Sequence, residues 1–344
     1  MPFNPEGKTI AVVRLSAFGD ILHTLPAVQL LSESFPDSRI HWISSSRGRE
    51  LLRCFQTSLE IQTIDFRKKS LGRSLSELFR IRSENRGRFD LVADFQGLIK
   101  SALVARACGG RVLGFHGSNL RERPAACFYS LQAQPFPEHA HVVQKNIHLL
   151  SAMGVSAHGP VVFPPLKIDG WTAPIRLFMK GHSLERKAFS LLNVGGGWPT
   201  KVLPFKTMAE LVPIIQRDFP VLLLWGTVQE RELARELSTV SGAIICPETD
   251  FKGLLSLVSG SRLVISGDTL ALHAADAVGV PSVGFFGPTS PARNGSLLPG
   301  SRAVVTPDSC RFCYRRSCDT MRCMSEITPS SIAEAVAEVL NASG

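Results

Sequence analysis

Long apolar runs are missing from this 344-residue sequence: each is broken by Asp, Arg or Pro well before the roughly 18 residues that a membrane-spanning helix needs. A signal peptide is missing too. The N-terminal apolar stretch Thr9–Val13 is too short for a hydrophobic signal region and runs into Arg14 and Asp20. The expectation is a cytoplasmic protein, soluble or peripheral on a membrane. There is no fixed-period repeat and no low-complexity tract. The 22 prolines and 28 glycines are spread along the chain, which excludes fibrous and disordered classes. Neither a Walker A loop nor a Gly-x-Gly-x-x-Gly fingerprint is present, which argues against P-loop and dinucleotide enzymes. A nucleic-acid partner is not expected, because no recognised nucleic-acid motif occurs.

What the chain does have is alternation. Thr9–Val13, Ile40–Ile43, Ile61–Ile64 and Leu91–Ala93 read as buried strands, with helical patterns near 21–34, 70–84 and 97–108. A Pro/Gly-rich, weakly periodic stretch, Gly159–Pro174, reads as a linker. Beyond it, strands at Leu191–Val194, Val221–Trp225, Ala243–Cys246, Leu263–Ser266 and Ser282–Phe286 alternate with helices near 206–217, 229–239, 250–259 and 269–278. This predicts an α/β protein of two Rossmann-like, doubly wound domains, 1–165 and 166–344, facing across a cleft. Ligands of such sheets bind at the carboxyl ends of the strands. The net charge of +9 is uneven: residues 1–165 hold 20 Lys/Arg against 13 Asp/Glu, and residues 166–344 hold 18 against 16. A basic first half suits an anionic partner, or is simply a solvated basic face.

Five segments carry candidate chemistry. In VRLSAFGDILHTLPAV a strand ends near Arg14 and Asp20 stands where a helix begins. Asp20 either caps that helix or serves as a general base at the strand edge; His23 reads as a supporting group. In LVADFQGLIKSALVARACGG, Asp94, Gln96 and Lys100 gather at a strand-to-helix turn. Around Arg121–Glu122–Arg123, Arg121 is either a clamp for phosphate or carboxylate or one half of a surface salt bridge. In NVGGGWPTKVLP, Gly196 and Gly197 let backbone N–H groups approach a phosphate and Lys201 adds a positive charge. In SGDTLALHAADAVGVPSVGFFGPTSPARNG, a strand delivers Asp268 and Thr269 to a helix start that suits a pyrophosphate, with His273 one turn on. Asp268 there either caps the helix or accepts from a sugar hydroxyl.

Together these segments resemble glycosyltransferase family 9, the ADP-heptose:lipopolysaccharide heptosyltransferases, over nearly the whole chain. FGDILHTLPAV is similar to the family's N-terminal signature and GDTLALHAADAVGVPSVGFFGPTSPAR to its nucleotide-sugar signature. DFQGLIKSALVAR and RERPAACFY are more similar to heptosyltransferase I than to heptosyltransferase II. The resemblance implies a GT-B fold, an inverting mechanism and no metal required for catalysis, and the chain contains no Asp-x-Asp triplet. It implies that Asp20 is the base and that ADP-heptose lies against Gly196, Gly197, Lys201, Glu230, Thr249, Asp268, Thr269, Leu270 and His273 in the second domain. The first domain would hold Kdo-lipid A, an anionic glycolipid, through Lys100, Arg121 and the Arg67–Lys69 run, at the cytoplasmic face of the inner membrane. Two positions depart from the family pattern. Leu270 stands where a Gly usually follows Asp-Thr, and Gly196 and Gly197 stand where the heptosyltransferase I subfamily carries hydroxyl residues.

Four of the eight cysteines fall as Cys310-x2-Cys313-x4-Cys318-x4-Cys323, with arginines between them. In a cytoplasmic chain this clustering favours a structural metal, zinc or an iron–sulfur cluster, over disulfides, although the spacing is not that of a common zinc ribbon. Cys54, Cys108, Cys127 and Cys246 read as small buried hydrophobes.

Overall fold

The computed structural model describes residues 3–66, 71–155, 159–307 and 309–342. The chain divides into two units, Met1–Lys167 and Ile168–Gly344. The division falls where it does because residues 165–167 are stitched to the first unit. Gln56 N–H donates to the Pro165 carbonyl and Lys167 N–H to that of Cys54, flanking a bridge between Phe55 and Leu166.

The first unit runs β1 (Thr9–Val13), α1 (Phe18–Ser34), β2 (Arg39–Ser44), α2 (Ser46–Leu52), β3 (Glu60–Thr63), α3 (Leu71–Glu84), β4 (Leu91–Asp94), α4 (Ile99–Cys108), β5 (Arg111–Gly114), β6 (Leu131–Gln132) and α5 (Val142–Leu149). Its six strands are parallel, in the order β3-β2-β1-β4-β5-β6. The central strand β1, TIAVV, is a β-branched run buried on both faces, as a fully covered parallel strand must be. Val12 pairs with Trp42 on one side and Ala93 on the other. On one face of the sheet, Ile81 of α3 and Val104, Ala105 and Cys108 of α4 pack over Ala11, Val13 and Val92.

The second unit runs α6 (Ala173–Gly181), β7 (Ser190–Asn193), α7 (Phe205–Ile215), β8 (Val221–Leu224), α8 (Val228–Ser241), β9 (Ile244–Ile245), α9 (Phe251–Gly260), β10 (Leu263–Gly267), α10 (Leu270–Ala277), β11 (Ser282–Phe286), α11 (Pro291–Asn294), β12 (Arg302–Val305), α12 (Arg322–Ser325) and α13 (Pro329–Ala342). Its sheet is again parallel, ordered β12-β11-β10-β7-β8-β9. Ile332, Val336 and Val339 of α13 join a core built from β7, β8, β10 and β11. Each unit thus repeats one plan. The first strand lies centrally, two strands follow on one side, and the fourth starts the other side. The order therefore reverses between β1 and β4, and again between β7 and β10, where loops leave their carboxyl ends in opposite directions and open a crevice.

Candidate active site

In the first unit the reversal point sets Asp20 at the third residue of α1. The N-cap is Ala17, whose side chain cannot accept a hydrogen bond. Asp20 reaches back instead, and its Oδ2 accepts the Ala17 N–H at 3.1 Å. Its other oxygen, Oδ1, lies 3.0 Å from Arg14 Nη2. Asp20 therefore completes the helix start and also presents a carboxylate with 41% of its side chain exposed. Arg14 is buried at the end of β1 and donates its second arm to the Phe95 carbonyl. The Arg14 carbonyl is fixed by Trp42 Nε1 at 3.2 Å and by Ser44 Oγ at 2.9 Å. The guanidinium thus joins the β1 loop to the β4 loop. Leu15 N–H makes a second tie, donating to Gln96 Oε1 at 2.9 Å.

Asp94, in the same turn, does not face solvent. It is wholly buried, accepting from the N–H groups of Gln96 and Gly97, from Ser101 Oγ at 2.9 Å and from the Tyr129 hydroxyl at 2.8 Å. Burial pushes its carboxyl above the ordinary value, opposed by those hydrogen bonds. It is the knot of the turn. Lys100 is exposed, its Nζ 4.3 Å from the centre of the Phe66 ring. Arg121 is exposed and makes no ion pair among the described residues; neighbouring Glu122 instead accepts the N–H of Ile99, the first residue of α4. The Arg67–Lys69 run lies outside the described residues. His23 is buried edge-on against His141.

In the second unit, the loops after β7 and β10 flank the reversal point. Glu230 is the hub of the first loop. Its Oε1 accepts Gly196 N–H at 3.1 Å, and its Oε2 accepts Gly226 N–H at 2.7 Å and Thr227 N–H at 3.0 Å. Thr227 caps α8 and receives the Glu230 N–H in return. Gly195 is demanded by this arrangement: a Cβ there would fall 2.0 Å from Glu230 Oε1. The Glu230→Ala variant is expected to lose about 1–3 kcal/mol of stability, since three N–H groups lose their acceptor. Thermal unfolding checks this.

After β10, Thr269 and not Asp268 caps α10, its hydroxyl accepting Ala271 N–H at 3.3 Å and Asn193 Nδ2–H at 3.1 Å. This corrects the capping role considered for Asp268. The buried Asp268 carboxylate takes three partners: Lys201 Nζ at 2.8 Å, His273 Nε2 at 3.1 Å and Asn294 Nδ2 at 3.3 Å. Burial works to raise its pKa, yet His273 and Lys201 outweigh it and hold the carboxyl well below the usual range. Lys201 also donates to the Asp268 carbonyl at 3.0 Å, so the charge expected to meet a phosphate is shared with an internal partner. Leu270 is the first residue of α10, and Thr249 precedes the Asp250 that caps α9.

The Cys-rich segment brings a surprise of placement. Phe312 and Tyr314 N–H groups donate to the Gly287 and Pro288 carbonyls, laying the segment along the loop after β11. Thr200 Oγ donates to the Arg315 carbonyl at 2.8 Å. Trp198 then lies with Lys201 Nζ 4.2 Å and the Arg316 guanidinium 5.0 Å from its ring centre. The segment's arginines thus reach the same loop as Lys201. Among the described residues no group of three or more His, Cys, Asp or Glu is arranged as a metal site, although burial and, behind it, the nearby Cys310, Cys313 and Cys318 push the Cys323 thiol up. Cys323 is buried under Gly287, while Cys310 and Cys313 stand exposed and Cys318 half-buried, and none of the four is in a disulfide.

Two doubly wound units, each with polar groups at its strand-order reversal, are the architecture of the GT-B fold. The family model for glycosyltransferase family 9 (heptosyltransferase) matches residues 79–323, and the chain belongs to that family. It is 28% identical to lipopolysaccharide heptosyltransferase 1 of Campylobacter coli, over 83% of this chain and 85% of that protein. The enzyme of the same name from Pseudomonas aeruginosa is 26% identical, over 90% and 87%. The solved structure of E. coli heptosyltransferase WaaC with ADP-2-deoxy-2-fluoro heptose superimposes with a TM-score of 0.73 at 21% identity, covering 98% of this chain and all of that one. The protein is an enzyme of the glycosyl-transfer class.

Proposed function

We propose that the chain transfers heptose from ADP-heptose to Kdo-lipid A with inversion at the anomeric carbon, in assembly of the lipopolysaccharide inner core at the cytoplasmic face of the inner membrane. The observation that carries this reading is the Asp20 carboxylate, half-exposed and aimed by Arg14 at the reversal point of the first sheet. Asp20 accepts the proton of a Kdo hydroxyl as that oxygen bonds to the anomeric carbon. The bond from that carbon to the ADP phosphate breaks, and ADP leaves with the electron pair. The transition state is oxocarbenium-like, as in glycoside hydrolysis.

The donor side rests on the second unit. With the Gly196 N–H held by Glu230, the backbone N–H groups at Gly197 and the start of α10 would meet the pyrophosphate beside Gly196, and Lys201 would balance charge growing on it. Glu230, Thr249, Thr269, Leu270 and His273 would frame the nucleotide and sugar, with Asp268 holding Lys201 in place. Support comes from the relatives' names and from the donor analogue bound to WaaC. On the acceptor side, Lys100 and Arg121 are exposed cations able to meet Kdo carboxylates and lipid phosphates. A donor panel tests the reading: ADP-heptose against UDP-, GDP- and ADP-hexoses, each with a Kdo-lipid A acceptor. ADP-heptose should exceed every hexose donor by at least about tenfold in kcat/KM, and equal or better use of any hexose would overturn the assignment.

A further inference from the structure

We infer that the outward faces of α3 and α4 form a docking surface for an anionic lipid bilayer. Four large apolar side chains are exposed on these two helices: Leu75 and Phe79 on α3, and Ile99 and Leu103 on α4. Phe79 is 69% exposed, which no packing requirement of the unit explains. Elsewhere the exposed large apolar residues are scattered, as on any soluble surface.

The topology puts both helices on one side of the sheet. The β3-to-β4 and β4-to-β5 crossovers run in the same direction across it, opposite to those from β1 to β2 and β2 to β3. Right-handed crossovers therefore place α3 and α4 together on one face, and the two helices touch. Their inner sides are fixed by the core, through Leu78 and Ile81 of α3 and Val104, Ala105 and Cys108 of α4. The opposite sides then point away from the sheet together.

Each outer stripe has the same composition. On α3, Leu75 and Phe79 continue to exposed Arg82; on α4, Ile99 and Leu103 continue to exposed Arg106, with exposed Lys100 beside them. Helix α4 carries no carboxylate. The two on α3, Glu77 and Glu84, are off this stripe and are both bound to Arg80, at 2.8 and 2.9 Å. Two acids border the α4 end, Glu122 on the Ile99 N–H and Asp65 near Lys100, but the stripes of Leu75, Phe79 and Leu103 with Arg82 and Arg106 match the face of an interfacial helix on an anionic membrane. A second copy of the chain would set the Arg82 and Arg106 fringes against each other, whereas anionic headgroups pair with them.

This surface rests on the reading of a lipid-borne acceptor, and Lys100 joins it to the proposed acceptor side. Flotation tests it with the full chain and neither donor nor acceptor, so its outcome is independent of whether heptose is transferred. Wild type should float with phosphatidylglycerol–phosphatidylethanolamine vesicles and remain in solution with phosphatidylcholine vesicles. Phe79→Glu with Leu103→Glu should reduce flotation at least about tenfold. Arg82→Glu with Arg106→Glu should lose about fivefold or more per cation removed. Phe79→Ser serves as a milder variant whose unfolding midpoint should equal that of wild type, because the side chain it removes is exposed. Transfer to a soluble, delipidated acceptor should be unchanged in the Phe79 variants. The inference is overturned if these variants float like wild type. It is overturned equally if wild type self-associates with concentration and Phe79→Ser abolishes that association, which would make a second copy the occupant.

Discussion

The Asp20→Asn variant is expected to turn over about 100-fold more slowly than wild type, or worse, the scale of a lost general base. Its fold should survive. An amide oxygen can still accept the Ala17 N–H that the carboxylate holds at 3.1 Å, so the cost in stability should stay within about 1–2 kcal/mol, that of a weakened helix start. The guanidinium of Arg14 loses its ion pair, yet water reaches the half-exposed Asp20 side and screens the change. Donor and acceptor KM should move little. Arg14 supplies the companion measurement. It is a positioning residue, held by the Phe95 carbonyl and gripping Asp20 Oδ1 at 3.0 Å, and it needs a forked cation for both tasks. Arg14→Met should lower kcat about tenfold with KM unchanged, and Arg14→Lys should recover only part of the loss. Full turnover in Asp20→Asn would remove the base from the mechanism, whatever the Arg14 variants did.

How much of this was legible in the sequence depends on how local the cause is. β1 and β11 were readable because TIAVV and SVGFF are apolar runs buried on both sides, and such runs have few other solutions. Of the four edge strands, β3 and β9 were readable and β6 and β12 were not. β6 has two residues, and β12, RAVV, is only partly buried; pairing with the preceding strand, and not an apolar run of its own, makes each a strand. Helix α13 is a different case, since Ile332, Ala335, Val336 and Val339 spell its inner face plainly, and the expectations placed no helix there.

The candidate site divides in the same way. Asp20, Lys201 and Asp268 were visible because turns after strands in such sheets gather ligands and polar residues in those turns stand out, whereas Glu230 came only from the family resemblance. Their pairing was not visible. Arg14 grips a residue six positions on only because the β1 loop meets the β4 loop, and Glu230 reaches Gly196 across the tips of β7 and β8. Nothing in the spacing of the cysteines foretold that Arg315 and Arg316 would be laid against Thr200 and Trp198. Nor did that spacing say that Cys323, of the four, is the thiol drawn into the core.

Asp268 should give the largest effect on stability. Its carboxylate and Lys201 are both buried, with side chains 3% and 12% exposed, and breaking a buried pair strands the remaining charge. Asp268→Asn is therefore expected to cost about 3–5 kcal/mol and to abolish most donor-dependent turnover. A neutral double variant, Asp268→Asn with Lys201→Met, removes the stranded ammonium and should recover part of the stability without recovering turnover. That outcome would separate the pair's structural role from the need for a cation beside the leaving ADP. Acid adds an independent measure. The Asp268 carboxyl titrates in the folded protein well below its unfolded value of about 3.9, so the folded state resists protonation there. Its contribution is fully present above that unfolded value and is lost as pH falls toward the folded one. Urea unfolding between pH 6 and about pH 3 should show wild type losing stability more steeply than Asp268→Asn, the two curves converging in acid. Parallel curves would mean that Lys201 and His273 do not stabilise the Asp268 charge, and the donor site would lose its electrostatic anchor.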